Sequence, residues 1–93
     1  MTIIDMASVK ASHKGHWFDE GAMQFFKSRV ARWGYENGGL VYFVSSEKYD
    51  LATPRLYSVR VYDRTTDEID TCGDFQQYKS YSGANKAAQR MAS

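Results

Sequence analysis

His13 and His16 stand three positions apart, a spacing that on a helix turns two imidazoles toward one metal ion. Only Cys72 could add sulfur, and the histidines sit among Lys14 and Gly15. They read as solvated side chains, and no metal or other cofactor is expected. Cys72 as a nucleophile would need a nearby base and a depressed pKa; its place at the end of a short strand-like run reads instead as a buried thiol. Glu47 with Asp50, and Asp67 with Glu68 and Asp70, look like paired carboxylates for acid–base work. Both groups fall in expected turns, so solvated charge is the simpler account. Gly34, Gly38 and Gly39 precede a strand rather than a helix and make no phosphate-binding loop. No enzyme is expected.

The elements that would carry these residues centre on Gly15 to Trp33. Asp19 can cap a helix and, with Glu20, suits the positive end of its dipole. Met23, Phe26 and Val30 then recur at helical spacing, with Trp17 and Phe18 folding back on the first turn. The helix is expected to end between Ser28 and Ala31, followed by a short strand into a turn at Asn37-Gly38. Leu40 to Ser45 is a central strand. Ser46 to Arg55, ending past the only proline, Pro54, reads as a long connection of the kind that carries function.

Leu56 to Tyr62 alternates, with Tyr57, Val59 and Val61 on one face and Ser58, Arg60 and Tyr62 on the other, which should be wet. Asp63 to Glu68 turns the chain into a partner strand, Ile69 to Cys72. Ser82 can cap a last helix with Ala84, Ala87, Ala88 and Met91 on one stripe. Thr2 to Met6 could be a short strand, but residues 1–14 read overall as a flexible lead-in. The fold expected for residues 15–93 is therefore a single α+β domain, α-β-β-β-β-α, with an antiparallel sheet of three or four strands and the helices packed on one face.

A chain of 93 residues with 43% hydrophobic and 25% charged residues can build one thin core and is not wholly disordered. A net charge of +1 gives no global pull toward nucleic acid or an anionic membrane, so any such attraction must come from a local patch. One cysteine excludes an intrachain disulfide and fits a reducing compartment. No apolar run is long enough for a signal peptide or a membrane span. A cytoplasmic protein is expected.

Aromatics make up 15% of the chain, with seven tyrosines, and tyrosine and arginine are favoured in interface hot spots. The residues chosen as partner contacts are Arg29, Arg32, Tyr49, Arg60, Tyr62, Lys86 and Arg90. Tyr49 is included because it lies in the long connection; Arg29 could equally tie the helix end to a neighbouring loop by an ion pair.

The runs Gly15-His16-Trp17-Phe18, Met23 to Val30, Tyr42 to Glu47 and Gly73-Asp74-Phe75-Gln76 resemble a family of small proteins of unassigned activity encoded by bacteriophages and bacterial mobile elements. The resemblance covers roughly residues 15–92 and carries over no catalytic residue. It implies a phage-associated setting in a host bacterial cell, where small single-domain proteins bind and block host defence complexes such as CRISPR effectors or restriction enzymes. The expected function is thus non-enzymatic inhibition of a host protein or ribonucleoprotein complex. The alternative is a nucleic-acid-binding module, since the helix-sheet-helix order with a basic last helix resembles double-stranded RNA-binding domains. The last helix lacks the lysine run at its start that phosphate contact would favour.

Overall fold

Alternating apolar residues and glycine turns bring the strands together in chain order. The computed structural model describes residues 1–12, 29–48 and 52–93. Its elements are β1 (Thr2–Asp5), α1 (Met6–Ser12), β2 (Arg29–Asn37), β3 (Leu40–Glu47), β4 (Leu56–Asp63), β5 (Glu68–Cys72) and α2 (Tyr81–Ala92). The strands make one antiparallel sheet in the order β1-β2-β3-β4-β5. The α+β class, the four strands from β2 onward and the closing helix agree with the sequence reading. The helix expected from Asp19, His13 and His16, and Tyr49 with Asp50 lie outside the described residues.

Three expectations are corrected. The possible strand at Thr2 to Met6 is there as β1, paired with β2 from Thr2↔Glu36 to Asp5↔Trp33, but the residues after it are not a flexible lead-in: they form the short helix α1. Asp5 starts that helix, its Oδ1 accepting the Ala7 N–H at 2.9 Å, the N-cap arrangement. The sheet therefore has five strands instead of three or four. The two described helices, α1 and α2, lie on opposite faces of the sheet; the expectation of helices on one face concerns α2 and the helix from Asp19, which lies outside the described residues. Successive residues of a strand face opposite ways; in β3, Val44 packs with the alanines of α2, whereas Val41 and Phe43 pack with Met6 and Val9 of α1. The face expected to be wet is thus covered, and Tyr62 is buried on it. Gly34 makes this covering possible, because a Cβ there would overlap the Met6 sulfur.

Local chemistry fixes the turns. Asn37 pairs with Leu40 across Gly38 (φ 62°) and Gly39 (φ 84°), two successive left-handed residues of the kind that match the twist of a two-residue hairpin. In the β4–β5 turn the Thr65 N–H bonds to Asp63 Oδ1 at 2.8 Å, and Asp67 adopts φ 62°. After β5 the chain returns to the start of β4, where Tyr57 and Tyr78 exchange two backbone hydrogen bonds of 2.8 and 3.0 Å. That bridge delivers α2 to the sheet. Ser80, not Ser82, caps the helix, its extended backbone letting Oγ accept the Gly83 N–H at 3.1 Å. Ala84, Ala87, Ala88 and Ala92 are buried against the sheet, while Met91 remains 40% exposed. Side chains this small let α2 lie close on β3 and β4.

Candidate binding surface

The pairing register sets three residues side by side across the sheet end: Arg29 of β2 opposite Ser46 of β3, and Ser46 opposite Tyr57 of β4. The Tyr78 bridge brings Tyr81, the first residue of α2, over Tyr57, and the two rings meet edge to face at 6.4 Å. The result is a cleft of about 100 Å³ lined by Arg29, Val30, Ala31, Val44, Ser46, Tyr57 and Tyr81. Its Ser46 wall is fixed from behind by Arg55, whose Nη1 donates to the Ser46 hydroxyl at 2.9 Å and to its carbonyl at 3.2 Å. Arg29 is exposed at the rim, and among the described residues no carboxylate pairs with it. Burial, with the neighbouring Tyr35 adding to it, pushes the Tyr81 phenol above its ordinary pKa, so this wall is a neutral hydrogen-bonding aromatic at physiological pH.

Beyond the cleft, the segment that carries α2 is basic. From Phe75 to Ser93 there is no acidic residue, and Lys79, Lys86 and Arg90 are all exposed. Lys86 and Arg90, four apart, point away from the buried alanine stripe, about 7.5 and 13.5 Å along the helix from Tyr81. The segment from residue 63 to 74 carries five acids, Asp63, Asp67, Glu68, Asp70 and Asp74, and strand alternation sets Asp63, Glu68 and Asp70 on the same sheet face as α2.

Of the sequence-chosen contacts, the structure gathers Arg29, Lys86 and Arg90 on the α2 side. Arg32 is exposed on β2, with its guanidinium 4.6 Å above the Trp33 ring and 3.9 Å from Asp5. Arg60 and Tyr62 are not outward contacts. Antiparallel pairing places both on the α1 face, where Arg60 lies in a buried polar cluster and Tyr62 donates its hydroxyl to Asp67 at 2.6 Å. The cleft residues Tyr57 and Tyr81, and Arg55 that holds Ser46, are not among the contacts expected from the sequence. No local pattern marks them, since only strand register and the Tyr57–Tyr78 bridge bring them to Arg29.

The chemically suggestive groups are engaged internally. Glu47, expected to be solvated in a turn, is the last residue of β3 and fully buried. Its carboxylate accepts from Ser45 Oγ at 2.6 Å, Ser58 Oγ at 3.1 Å and Arg60 Nη2 at 3.1 Å. Arg60 Nε reaches Ser45 Oγ at 3.0 Å, its Nη1 binds Thr71, and its guanidinium stacks 5.3 Å from the Phe75 ring. Burial, reinforced by Asp70, pushes the half-buried Cys72 thiol above its ordinary pKa, against the opposing pull of Arg60. A protonated thiol is a poor nucleophile. Among the described residues no cluster of three His, Cys, Asp or Glu side chains could hold a metal ion, and no helix is long and apolar enough to cross a membrane.

No curated protein and no solved structure matches the chain. A family model does match, over residues 2–89, a span that takes in β1 and α1 as well as the sheet and most of α2. The chain therefore belongs to DUF7447, a family of unknown function.

Proposed function

We propose that this chain is a non-catalytic binding protein that docks its α2 side on an acidic surface of a larger protein or ribonucleoprotein complex. The observation that carries this reading is the basic, acid-free α2 segment adjoining a tyrosine-walled cleft, at whose rim Arg29 meets no carboxylate among the described residues. Tyrosine and arginine beside a partly desolvated pocket are the composition of binding hot spots. A basic face also steers an acidic partner into contact. The engagement of Glu47 with Arg60 and the raised pKa of Cys72 support binding over chemistry. Within this reading, the resemblance to phage and mobile-element proteins suggests inhibition of a host defence complex in the bacterial cytoplasm.

The same basic face also favours a second reading, direct contact with nucleic acid. Three phosphate contacts, by Lys79, Lys86 and Arg90, would give a logarithmic salt slope of roughly −2.7 on duplex DNA. Capture of partners from bacterial lysate by the tagged chain, with and without nuclease, separates the two. A partner retained after nuclease and lost with Lys86→Glu/Arg90→Glu supports the first reading. Retention only without nuclease moves nucleic acid to the front, and retention by the charge-reversed variant removes the α2 face from either account.

A further inference from the structure

We propose that the cleft between β2, β3, β4 and the first turn of α2 anchors one aliphatic side chain within an acidic peptide segment of the partner. This rests on the binding reading above and adds what the site would recognise. Size sets the anchor. A cavity of roughly 150 Å³ accepts benzene, so about 100 Å³ suits one aliphatic side chain and is too small for a purine. The lining agrees, since Val30, Ala31 and Val44 supply apolar surface and the Tyr57 and Tyr81 rings close the sides.

Charge selects what flanks the anchor. Arg29 stands exposed at the rim with no carboxylate partner among the described residues. The residues facing it across the sheet, Ser46 and Tyr57, are neutral, and Glu47, next along β3, turns its carboxylate to the other face. An acidic residue beside the seated side chain would meet Arg29. Lys86 and Arg90, about 7.5 and 13.5 Å along the helix axis from Tyr81 and on the outer side of α2, would meet further acids of a segment that crosses the helix. A lone C-terminal carboxylate would leave those two cations unused, which favours an internal acidic segment.

The test titrates the full chain with the fluorescein-labelled peptide Glu-Asp-Glu-Leu-Asp-Glu and with its analogue carrying Gly for Leu, followed by fluorescence anisotropy. The leucine peptide is expected to bind at least about tenfold more tightly, the effect of burying one aliphatic side chain. Arg29→Gln should weaken both peptides about tenfold, and Ala31→Phe, which fills the cleft, should make the two bind alike. Arg29 is exposed, so its variant keeps the test decisive even where Ala31→Phe fails to fold. Equal affinity for the two peptides, no measurable binding of either, or stronger binding of a labelled single-stranded oligonucleotide overturns the proposal. A partner captured from lysate through Lys86 and Arg90 while the peptides bind equally would leave the binding reading standing and remove only the anchor.

Discussion

The Glu47 carboxylate and the Arg60 guanidinium meet at 3.1 Å on the α1 face, their side chains 1% and 15% exposed. Two hydroxyls, Ser45 and Ser58, also bond the carboxylate, and Ser45 and Thr71 also bond the arginine. The Ser58 hydroxyl also accepts the Gln76 N–H at 2.8 Å, and Gln76 Nε2 reaches the Glu47 carbonyl at 3.2 Å. One charge pair thereby ties β3, β4, β5 and the segment leading to α2.

Removing one partner leaves the other charge buried. Glu47→Ala, or Arg60→Ala, should cost about 3–5 kcal/mol of stability in urea denaturation. The double variant Glu47→Leu/Arg60→Met removes both charges and should cost clearly less than the two single losses added together. Additive losses would mean that the two residues do not act as a pair.

Tyr62 sets a limit at alkaline pH. Its hydrogen bond to Asp67, followed by burial and the Asp67 charge, raises the phenol above its ordinary value of 10.0. A raised folded-state pKa means that the unfolded chain ionises first. The contribution of Tyr62 is therefore complete below pH 10 and is lost as pH climbs from there through the raised folded value. Asp67→Asn keeps a residue tolerant of φ 62° but removes the charge. It should lower the Tyr62 pKa in a spectrophotometric titration and soften the alkaline loss of stability; an unchanged titration would discard the Asp67 contribution.

How legible this fold was depends on how local its causes are. The β2–β3 hairpin could be read because Asn37-Gly38-Gly39 supplies its turn and Leu40 to Ser45 has strand-forming side chains throughout. The alanine stripe of α2 could be read from spacing alone. β1 could be read only as a possibility at Thr2 to Met6, because a four-residue strand is defined by its pairing with Trp33 to Glu36, some thirty residues away. Glu47 looked like the first charge of a polar loop; its burial follows from Arg60, thirteen residues on, lying on the same sheet face. For the same reason Arg60 looked like an outward contact when its charge is held inside. The cleft was the least legible feature, since Arg29, Tyr57 and Tyr81 become neighbours only after register and bridge are set.

The helix cap separates two serines that stand two positions apart, Ser80 and Ser82. Ser80 Oγ accepts the Gly83 N–H, whereas Ser82 is exposed inside the first turn. Ser80→Ala should lower stability by about 1 kcal/mol, and Ser82→Ala should leave it within about 0.5 kcal/mol. Thermal melts of the two variants compare them directly, and equal melting temperatures would remove Ser80 as the cap.

Charge reversal on α2 tests function separately from fold. Lys86 and Arg90 lie on the exposed side of the helix, away from Ala84, Ala87 and Ala88. Lys86→Glu/Arg90→Glu should therefore leave stability within about 1 kcal/mol. Arg90 lies in the last turn, where a cation favours the helix dipole, so its reversal should account for most of any loss. Partner binding should respond differently: rim charges govern encounter, so the association rate should fall and its dependence on salt should flatten. Surface plasmon resonance of captured partner against wild-type and reversed chains at two ionic strengths reads both effects. An unchanged association rate would place the docking face elsewhere, with the exposed Arg32–Trp33 pair on β2 next to be tested.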